Sequence, residues 1–414
     1  MKNISIDGAR LWESLMEMAK IGATAKGGNC RLALTDLDRE GRDLFVRWCE
    51  AAGCTVSVDA MGNIFARRPG RDTEGDPALA PVMTGSHLDT QPTGGKFDGV
   101  YGVLAGLEVI RTLNDHGIET EAPVEAVVWT NEEGARFAPA MTASGVFAGV
   151  FELNWAHALT DPDGKTLGAE LARIGYKGAA ECGGRPVKAY FEAHIEQGPI
   201  LEAEDKPVGV VTGAQGQRWF EITVTGAESH AGTTPMDRRK DALVGAARMV
   251  GEVQRIATSR PPHAVTTVGM LVSSPNSRNT IPGSVFFTAD LRHPEDETLT
   301  AMAAELRAAC AGLANEAGLT CELEEILYFA PIAFDADCVA AVRQGAGGLG
   351  YGHRDIVSGA GHDACYLSKV APTGMIFVPC KDGISHNEIE SAEPGDLEAG
   401  CNVLLHAMLE RAGG

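Results

Sequence analysis

Short apolar runs alternate with helically spaced segments along most of this chain, and one internal stretch follows a different order. Apolar runs at 80–83, 124–129, 189–194 and 373–378 predict buried strands. The segments between these runs repeat their apolar residues at helical spacing. Strands that alternate with helices indicate an α/β fold with a mainly parallel, helix-flanked sheet.

From about residue 213 the order of elements changes. The pattern predicts strands at 219–225, 265–272, 285–292 and 320–326, with helices at 239–257 and 295–317. The resulting order, β-α-β-β-α-β, is the ferredoxin-like split βαβ arrangement. We therefore predict a discontinuous catalytic domain, residues 1–212 and 329–414, with an inserted domain at residues 213–328.

Composition narrows the choice of partners and compartment. Thirty-five basic residues against 56 acidic ones give a net charge of -21, which argues against nucleic acid as a partner. We find no apolar run near the roughly 18 residues that span a bilayer, and no basic-then-apolar signal pattern at the N-terminus. The ten cysteines are scattered without a CxxC pair, as is usual for reduced thiols, and we assign them no role. These features predict a cytoplasmic protein that binds neither nucleic acid nor membrane.

Polar residues suited to metal binding follow each of the four predicted strands. They are His87, Asp89 and Asp98 after the first, Glu132 and Glu133 after the second, His194 at the end of the third, and His386 after the fourth. Ligands bind at the carboxyl ends of strands in α/β sheets. Imidazoles and carboxylates suit zinc and similar ions, and a carboxylate can bridge two of them. The pattern predicts a two-metal hydrolytic site.

Two spacings refine this prediction. Asp89 lies two residues from His87, so in an extended segment both side chains emerge on one face, and Asp89 is placed to orient the imidazole. Glu132 and Glu133 are adjacent, so their side chains can diverge, one toward metal and one toward water. The alternative for such an acidic pair is solvated charge in a loop. Recurrence of polar groups after several strands argues against that alternative.

Seven ordered blocks, spanning most of the chain from about 53 to 390, resemble the hydantoinase/carbamoylase family of amidases, a branch of the di-zinc aminoacylase and carboxypeptidase superfamily. The blocks are TGSHLDTQPTGGKFDGVYG, TNEEGARFAPAMTASG, FEAHIEQGPILE, GAESHAGTTPMDRRKDAL, NTIPGSVFFTADLRHPE, SGAGHDACYL and VPCKDGISHNEIE. The resemblance implies two divalent ions, with zinc favoured and manganese, cobalt or nickel as alternatives.

The resemblance also implies a role for each polar residue. One ion would be held by His87, Asp98 and His194, and the other by Asp98, Glu133 and His386. Asp89 would orient His87, Glu132 would be the general base, and a cis peptide would follow Asp98. Peptidases of the superfamily place a carboxylate at the position of His194, so this chain resembles the carbamoyl-cleaving branch.

The inserted domain resembles the lid and dimerisation domain of the family, which implies a homodimer. Five further residues would bind the substrate or stabilise the transition state. Arg292 would clamp a substrate carboxylate, Asn279 and Gln197 would hold polar atoms, His230 would stabilise the oxyanion across the dimer interface, and His362 would join them. Without the resemblance, Arg292 reads as a surface charge, His230 as a turn residue and His362 as a helix cap.

The implied function is hydrolysis of an N-carbamoyl-L-α-amino acid or of N-carbamoyl-β-alanine to the amino acid, carbon dioxide and ammonia. Allantoate amidohydrolase is the main alternative, because its substrate is also a ureido compound that bears a carboxylate. A dipeptidase or aminoacylase is disfavoured by His194. A non-catalytic protein that binds a small acid is the alternative of a different class.

Overall fold

The computed structural model of the chain describes residues 4–71 and 79–413. Two compact units make up the chain. The larger comprises Met1–Thr212 and Phe334–Gly414, and the smaller comprises Gly213–Ala333. The second boundary therefore lies five residues beyond the predicted one, after 333 instead of 328.

The first part of the larger unit contains both helices and strands, from α1 to β6. Its elements are α1 (Gly8–Met18), α2 (Asp36–Ala51), β1 (Thr55–Val58), β2 (Ile64–Arg68), β3 (Val82–His87), α3 (Val100–Asp115), β4 (Val124–Trp129), α4 (Thr142–Phe147), α5 (Leu153–Ala158), α6 (Leu167–Ile174), β5 (Ala189–Ile195), α7 (Ile200–Ala203) and β6 (Val208–Ala214). Asp7 and Thr35 cap α1 and α2, because each side chain accepts a hydrogen bond from a backbone N–H of the first turn.

The smaller unit is an antiparallel sheet with two long helices. Its elements are β7 (Gly216–Thr225), β8 (Ser229–His230), α8 (Ala242–Thr258), β9 (Val265–Thr267), β10 (Leu271–Ser274), β11 (Thr280–Ile281), β12 (Ser284–His293), α9 (Asp296–Glu316), β13 (Thr320–Phe329) and β14 (Ile332–Ala333). The predicted strand at 265–272 is wrong in one respect: it forms two short strands, β9 and β10. Gly269 lies in the break, and a glycine weakens a strand interior.

The main sheet of the smaller unit has the order β10-β12-β7-β13, with β9 beside β12. Burial along β12 alternates with a period of two, so Val285, Phe287, Ala289 and Leu291 point to one face. These four residues share a hydrophobic cluster with residues of α8 and α9. Burial of this one face against two helices provides the core of the smaller unit.

The chain then completes the larger unit. Its last elements are α10 (Ala336–Gly348), β15 (His353–Ser358), α11 (Asp363–Leu367), β16 (Thr373–Val378) and α12 (Pro394–Ala412). The strands β4, β3, β5 and β16 lie side by side and run parallel. Antiparallel neighbours, β2 on one side and β6 on the other, flank these four. The predicted mainly parallel sheet is therefore confirmed at its centre.

The central strands are buried along their full length, because helices cover the sheet. α3 packs against β3, and α12 packs against β16. α3 is buried on almost every side, and its sequence is mostly apolar. No helix in residues 4–71 or 79–413 combines the length and apolar character needed to cross a membrane. The carboxyl ends of β4, β3, β5 and β16 therefore lie at one edge of the sheet, where polar side chains meet.

Candidate metal centre

The parallel strands of the larger unit deliver the predicted metal ligands to one edge of the sheet. His87 is the last residue of β3, and His194 is the penultimate residue of β5. Glu133 follows β4, and His386 follows β16. The prediction placed His87 in a loop after a strand at 80–83, and that boundary is wrong, because the strand continues to His87 itself. An imidazole on a strand is held more rigidly than one on a loop.

The first group of candidate ligands is fully buried. His87, Asp98 and His194 each offer one ligand atom, and these atoms all lie within 4.8 Å of one another. His194 Nε2 lies 3.1 Å from Asp98 Oδ1, and His87 Nε2 lies 3.9 Å from the same oxygen. Two imidazoles and a carboxylate at these separations are a donor set for zinc or a similar ion.

The second group shares Asp98 with the first. Its ligand atoms, from Asp98, Glu133 and His386, also lie within 4.8 Å of one another. His386 Nε2 is 3.3 Å from Asp98 Oδ2 and 3.4 Å from Glu133 Oε2. The His386 side chain is 52% exposed, unlike the buried imidazoles of the first group. Asp98 therefore directs one oxygen to each group, as a bridging carboxylate would.

Backbone carbonyls fix the orientation of both buried imidazoles. His87 Nδ1 lies 2.8 Å from the carbonyl oxygen of Asp89, and His194 Nδ1 lies 2.8 Å from that of Ile195. When neutral, a ring that donates from Nδ1 keeps Nε2 as the lone-pair nitrogen available to an ion, and in both residues Nε2 faces Asp98. The residues present therefore fit divalent ions at this edge of the sheet.

The predicted role of the Asp89 side chain is wrong. Its Oδ1 is 4.0 Å from His87 Nδ1, beyond a hydrogen bond, and the backbone oxygen of Asp89 takes that place. The carboxylate instead accepts from the backbone N–H groups of Glu132 and Glu133, each at 3.3 Å. Asp89 thus joins the turn after β4 to the end of β3, so one residue positions His87 and both glutamates.

The cis peptide expected after Asp98 is also absent from the described residues, where cis bonds precede Pro139, Pro262 and Pro275. The turn is made by Gly99, whose φ of 68° lies in the region that favours glycine. A Cβ at this position would overlap the His87 ring. Gly99 therefore lets the chain turn into α3 and leaves space for the imidazole.

Burial and neighbouring charged groups shift the pKa values of the candidate ligands. Burial would raise the pKa of Asp98, but hydrogen bonds with His194 and His386 hold it well below its usual range. Burial lowers the pKa of His87 to about 4, so this ring is neutral at pH 7. Burial also opposes protonation of His194, yet its hydrogen bond to Asp98 raises the pKa to about 9. In the metal-free chain, protons on imidazoles thus supply the positive charge that Asp98 requires.

Glu132 belongs to neither group but lies beside the first. Its Oε2 is 3.4 Å from His87 Nε2, and the side chain is buried. Burial, followed by the neighbouring carboxylates Asp363 and Glu133, raises the pKa of Glu132 well above its ordinary value. A buried carboxyl group of raised pKa beside a metal group has the properties of a general base.

Two of the predicted substrate-binding residues adjoin the groups in the larger unit. Gln197 donates from Nε2 to Asp98 Oδ2 at 3.0 Å and to Ser385 Oγ at 3.1 Å. The His362 ring packs edge-on against His194, with ring centroids 4.6 Å apart, and its Nε2 is 2.9 Å from Ser358 Oγ. His362 is the N-cap residue of α11, as the helix-cap alternative predicted, but its side chain makes no cap hydrogen bond and is buried beside His194.

The other three predicted residues lie in the smaller unit. His230 is opposite Thr280 in the ladder of β8 and β11, and the carbonyl oxygen of Asn279 accepts from Ala231 N at 2.9 Å. Arg292, on β12, donates to Asp290 Oδ2 from Nε at 3.0 Å and from Nη2 at 2.8 Å. The structure brings His230 and Asn279 close together, and the roles of all three residues stay predictions.

Sequence reasoning missed Glu390, a buried carboxylate that hydrogen-bonds to the backbone of Asp98. Its position four residues after His386 was the available signal, but spacing in a loop does not show where a side chain points. Ser385, which lies within hydrogen-bond distance of Asp98 and Glu390, was missed for the same reason.

The sequence profile of peptidase family M20/M25/M40 matches residues 83–410. The chain belongs to this family. This M20-family chain is 54% identical over 411 residues to an N-carbamoyl-L-amino-acid amidohydrolase of Rhizobium meliloti, over 99% of this chain and 98% of the relative. The crystal structure of a hydantoinase/carbamoylase-family amidase from Burkholderia multivorans is 66% identical, covers 99% of each chain and superposes with a TM-score of 0.95.

These comparisons confirm the predicted resemblance to the hydantoinase/carbamoylase amidases. An allantoate amidohydrolase of Bacillus subtilis is more distant, at 33% identity over 397 residues and 95% of each chain. The order of similarity thus places the carbamoyl-amino-acid enzymes nearer to this M20-family chain than that allantoate enzyme.

Proposed function

We propose that this chain is a metal-dependent amidohydrolase that cleaves the ureido C–N bond of N-carbamoyl amino acids. The observation that carries the proposal is the pair of ligand groups that share Asp98, with Glu132 beside them. The 54% identity to an enzyme named for this reaction supports the substrate class.

Two divalent ions fit the site, one with His87, Asp98 and His194 and the other with Asp98, Glu133 and His386. Zinc is our first choice, and manganese, cobalt and nickel suit the same donors. Such ions, when bound, polarise a carbonyl group and lower the pKa of water. The chain itself must then hold the substrate and move the proton.

Glu132 is our candidate for that proton transfer. Its buried carboxylate, 3.4 Å from His87 Nε2, would accept a proton from the water that attacks the ureido carbon. As the C–N bond breaks, Glu132 returns the proton to the departing amine nitrogen. The amino acid leaves, and the carbamic fragment breaks down to carbon dioxide and ammonia, so atoms and charges balance.

Substrate recognition is assigned to residues of both units. Arg292 would hold the carboxylate of the amino acid with its planar fork of donors. Gln197 and Asn279 would bind polar substrate atoms, and His362 would contribute from its place beside His194. His230 would donate to the oxygen on which negative charge develops.

We also propose that the smaller unit is a lid that forms a homodimer. Its edge strand β10 and the residue before it expose the apolar side chains of Met270, Leu271 and Val272. An exposed apolar strand edge favours pairing with a second copy. A cytoplasmic location is proposed from the ten cysteines, which are all free thiols.

The test is ammonia release by metal-loaded protein on N-carbamoyl-L-α-amino acids, their D-forms, N-carbamoyl-β-alanine and allantoate. We expect the fastest turnover on an N-carbamoyl-L-α-amino acid. N-carbamoyl-β-alanine differs by one methylene, which is worth only ~1–3 kcal/mol in a pocket, so discrimination against it should be modest. The Glu132→Gln variant provides the background rate.

Each of the other possible results would contradict a different part of the proposal. Preference for allantoate would contradict the proposed substrate class but not the proposed metal site. If two ions bind and no substrate of the panel releases ammonia, the proposed reaction is contradicted. Dipeptides and N-acyl amino acids would then be tested as substrates. Protein that holds no divalent ion after supplementation would favour the non-catalytic binder.

A further inference from the structure

Glu390 is a buried carboxylate that touches the metal groups without belonging to either. Its residue is 3% exposed. Oε1 accepts from the backbone N–H of Phe97 at 2.9 Å and from that of Asp98 at 3.2 Å. Oε2 is 2.9 Å from the hydroxyl oxygen of Ser385. One side chain thus joins the segment that carries Asp98 to the loop that carries His386.

Ser385 extends this connection to the ligand itself. Its hydroxyl oxygen is 3.0 Å from Asp98 Oδ2, the oxygen that faces His386. Because Ser385 directly precedes His386, its contacts hold the backbone from which the imidazole extends. Glu390 therefore acts on both ends of the contact between Asp98 and His386.

The packing around Glu390 supports a specific fit. A Cβ at Gly95 would overlap the Glu390 carboxylate, so the glycine leaves the space that the carboxylate occupies. Burying a carboxylate is costly unless it is hydrogen-bonded, and here two backbone N–H groups donate to it while the Ser385 hydroxyl, which it shares with Asp98, lies 2.9 Å away. Gly95 thus provides the space that the Glu390 carboxylate needs.

The two groups differ in their need for such a contact. His87 and His194 of the first group lie on strands, and their Nδ1 atoms face backbone carbonyls. Glu133 and His386 of the second group lie beyond strand ends, and His386 has a left-handed φ of 53°. The second group therefore depends on loop contacts for its geometry.

We propose that Glu390 is a positioning residue that sets the Asp98–His386 separation, and that it controls the affinity of the second group for its ion. The inference rests on the proposed function only in requiring that the two groups bind ions. It assigns Glu390 no ligand bond and no proton transfer.

The experiment is a calorimetric titration of metal-free protein with Zn²⁺. We compare the natural chain with Glu390→Ala, Glu390→Gln and Glu388→Gln. Glu388 is the control, because it is a carboxylate of the same loop that pairs with Lys26 at 3.3 Å. We expect two binding events in the natural chain. Glu390→Ala should weaken one of them ~10–100-fold, the usual effect of losing a partner that orients a ligand.

The conservative variant gives a graded result. Glu390→Gln keeps an oxygen for the N–H groups of Phe97 and Asp98, so its loss of affinity should be smaller than that of Glu390→Ala. Glu388→Gln should titrate like the natural chain. Gly95→Ala, which displaces the carboxylate and keeps its charge, should weaken the same event and provides a second route if Glu390→Ala does not fold.

Three outcomes would overturn the inference. Unchanged affinities in Glu390→Ala and Gly95→Ala would show that the carboxylate positions nothing. Equal weakening of both events, with a lower melting temperature, would show a general structural role. A natural chain that binds neither Zn²⁺ nor Mn²⁺, Co²⁺ or Ni²⁺ would contradict the proposed function together with this inference. If two ions bind and no ureido substrate turns over, only the proposed reaction fails.

Discussion

The predicted site residues of the two units are arranged in opposite ways. In the larger unit, side chains that are far apart in sequence, such as Asp98, Glu133, His194 and His386, converge within a few ångströms. In the smaller unit, Arg292 bonds to Asp290, two residues away on the same strand. His230 Nδ1 accepts from the backbone N–H of Gly232, also two residues away.

Sheet topology explains this difference. Parallel strands end on the same edge, so residues after β3, β4, β5 and β16 must meet there. Antiparallel neighbours run in opposite directions, so the carboxyl end of β7 lies at one edge and those of β12 and β13 lie at the other. We infer that the larger unit is organised in advance for metal chemistry, while the residues of the smaller unit contribute individually to substrate binding.

The strongest test of this contrast is Asp98→Asn. Because Asp98 supplies a ligand atom to both groups, we expect loss of bound metal from both and ammonia release below detection. Metal content by mass spectrometry and the ammonia assay measure the two effects. Asp237→Asn, an exposed carboxylate of the smaller unit, is the control and should retain both. Full metal content in Asp98→Asn would contradict the bridging role.

Glu132→Gln separates proton transfer from metal binding within the larger unit. Turnover should fall by ~10²–10⁴-fold, because a positioned base is lost. Metal content should stay unchanged, because Glu132 is in neither ligand group. A variant that keeps most of its turnover would show that another group takes the proton.

Arg292→Ala tests the individual contribution that we assign to the smaller unit. Loss of a charge-assisted contact worth ~1.5–3 kcal/mol should raise KM ~10–100-fold and leave kcat nearly unchanged. Arg292→Lys should recover only part of this affinity, because lysine lacks the planar fork. For a substrate with a carboxamide in place of the carboxylate, Arg292→Ala should change KM little.

The control for this prediction is Arg218→Ala. Arg218 lies opposite Leu291 in the same sheet and bonds to Glu325 at 2.9 Å, so it is a paired arginine with no proposed role. Its loss should leave KM unchanged. If Arg218→Ala and Arg292→Ala have the same effect, Arg292 stabilises the sheet and does not select the substrate.

The contrast also explains what could be predicted from the sequence. Apolar runs identify β4 and β16 with their observed bounds, and strand ends identify the ligand-bearing edge. The pairing of ligands into two groups came from the family resemblance. Spacing failed for Asp89, because it shows that the residue is near His87 but not whether its carbonyl or its carboxylate reaches the ring. Glu390 was missed because the groups that tie it to Asp98 are backbone N–H groups, which leave no mark in a sequence.

The smallest expected effect is a pH dependence of stability in the metal-free protein. Hydrogen bonds to Asp98 raise the pKa of His194, against the effect of burial, and that of His386, each to about 9. Burial and the charge of Asp98 raise the pKa of Glu133 to about 8. All three values exceed those of the unfolded chain. Between pH 6.5 and 9 the folded chain therefore binds more protons than the unfolded chain, and stability falls as pH rises.

Bound ions change this pH dependence, because they require neutral imidazoles and a charged carboxylate. Metal-loaded protein should consequently lose less stability than metal-free protein over the same range. Calorimetric melting temperatures at pH 6.5, 8 and 9, with and without chelator, measure the difference. All three titrating groups belong to the larger unit. If the melting temperature fell equally with and without metal, the pH-sensitive groups would lie away from the metal groups, and the contrast between the two units would be wrong.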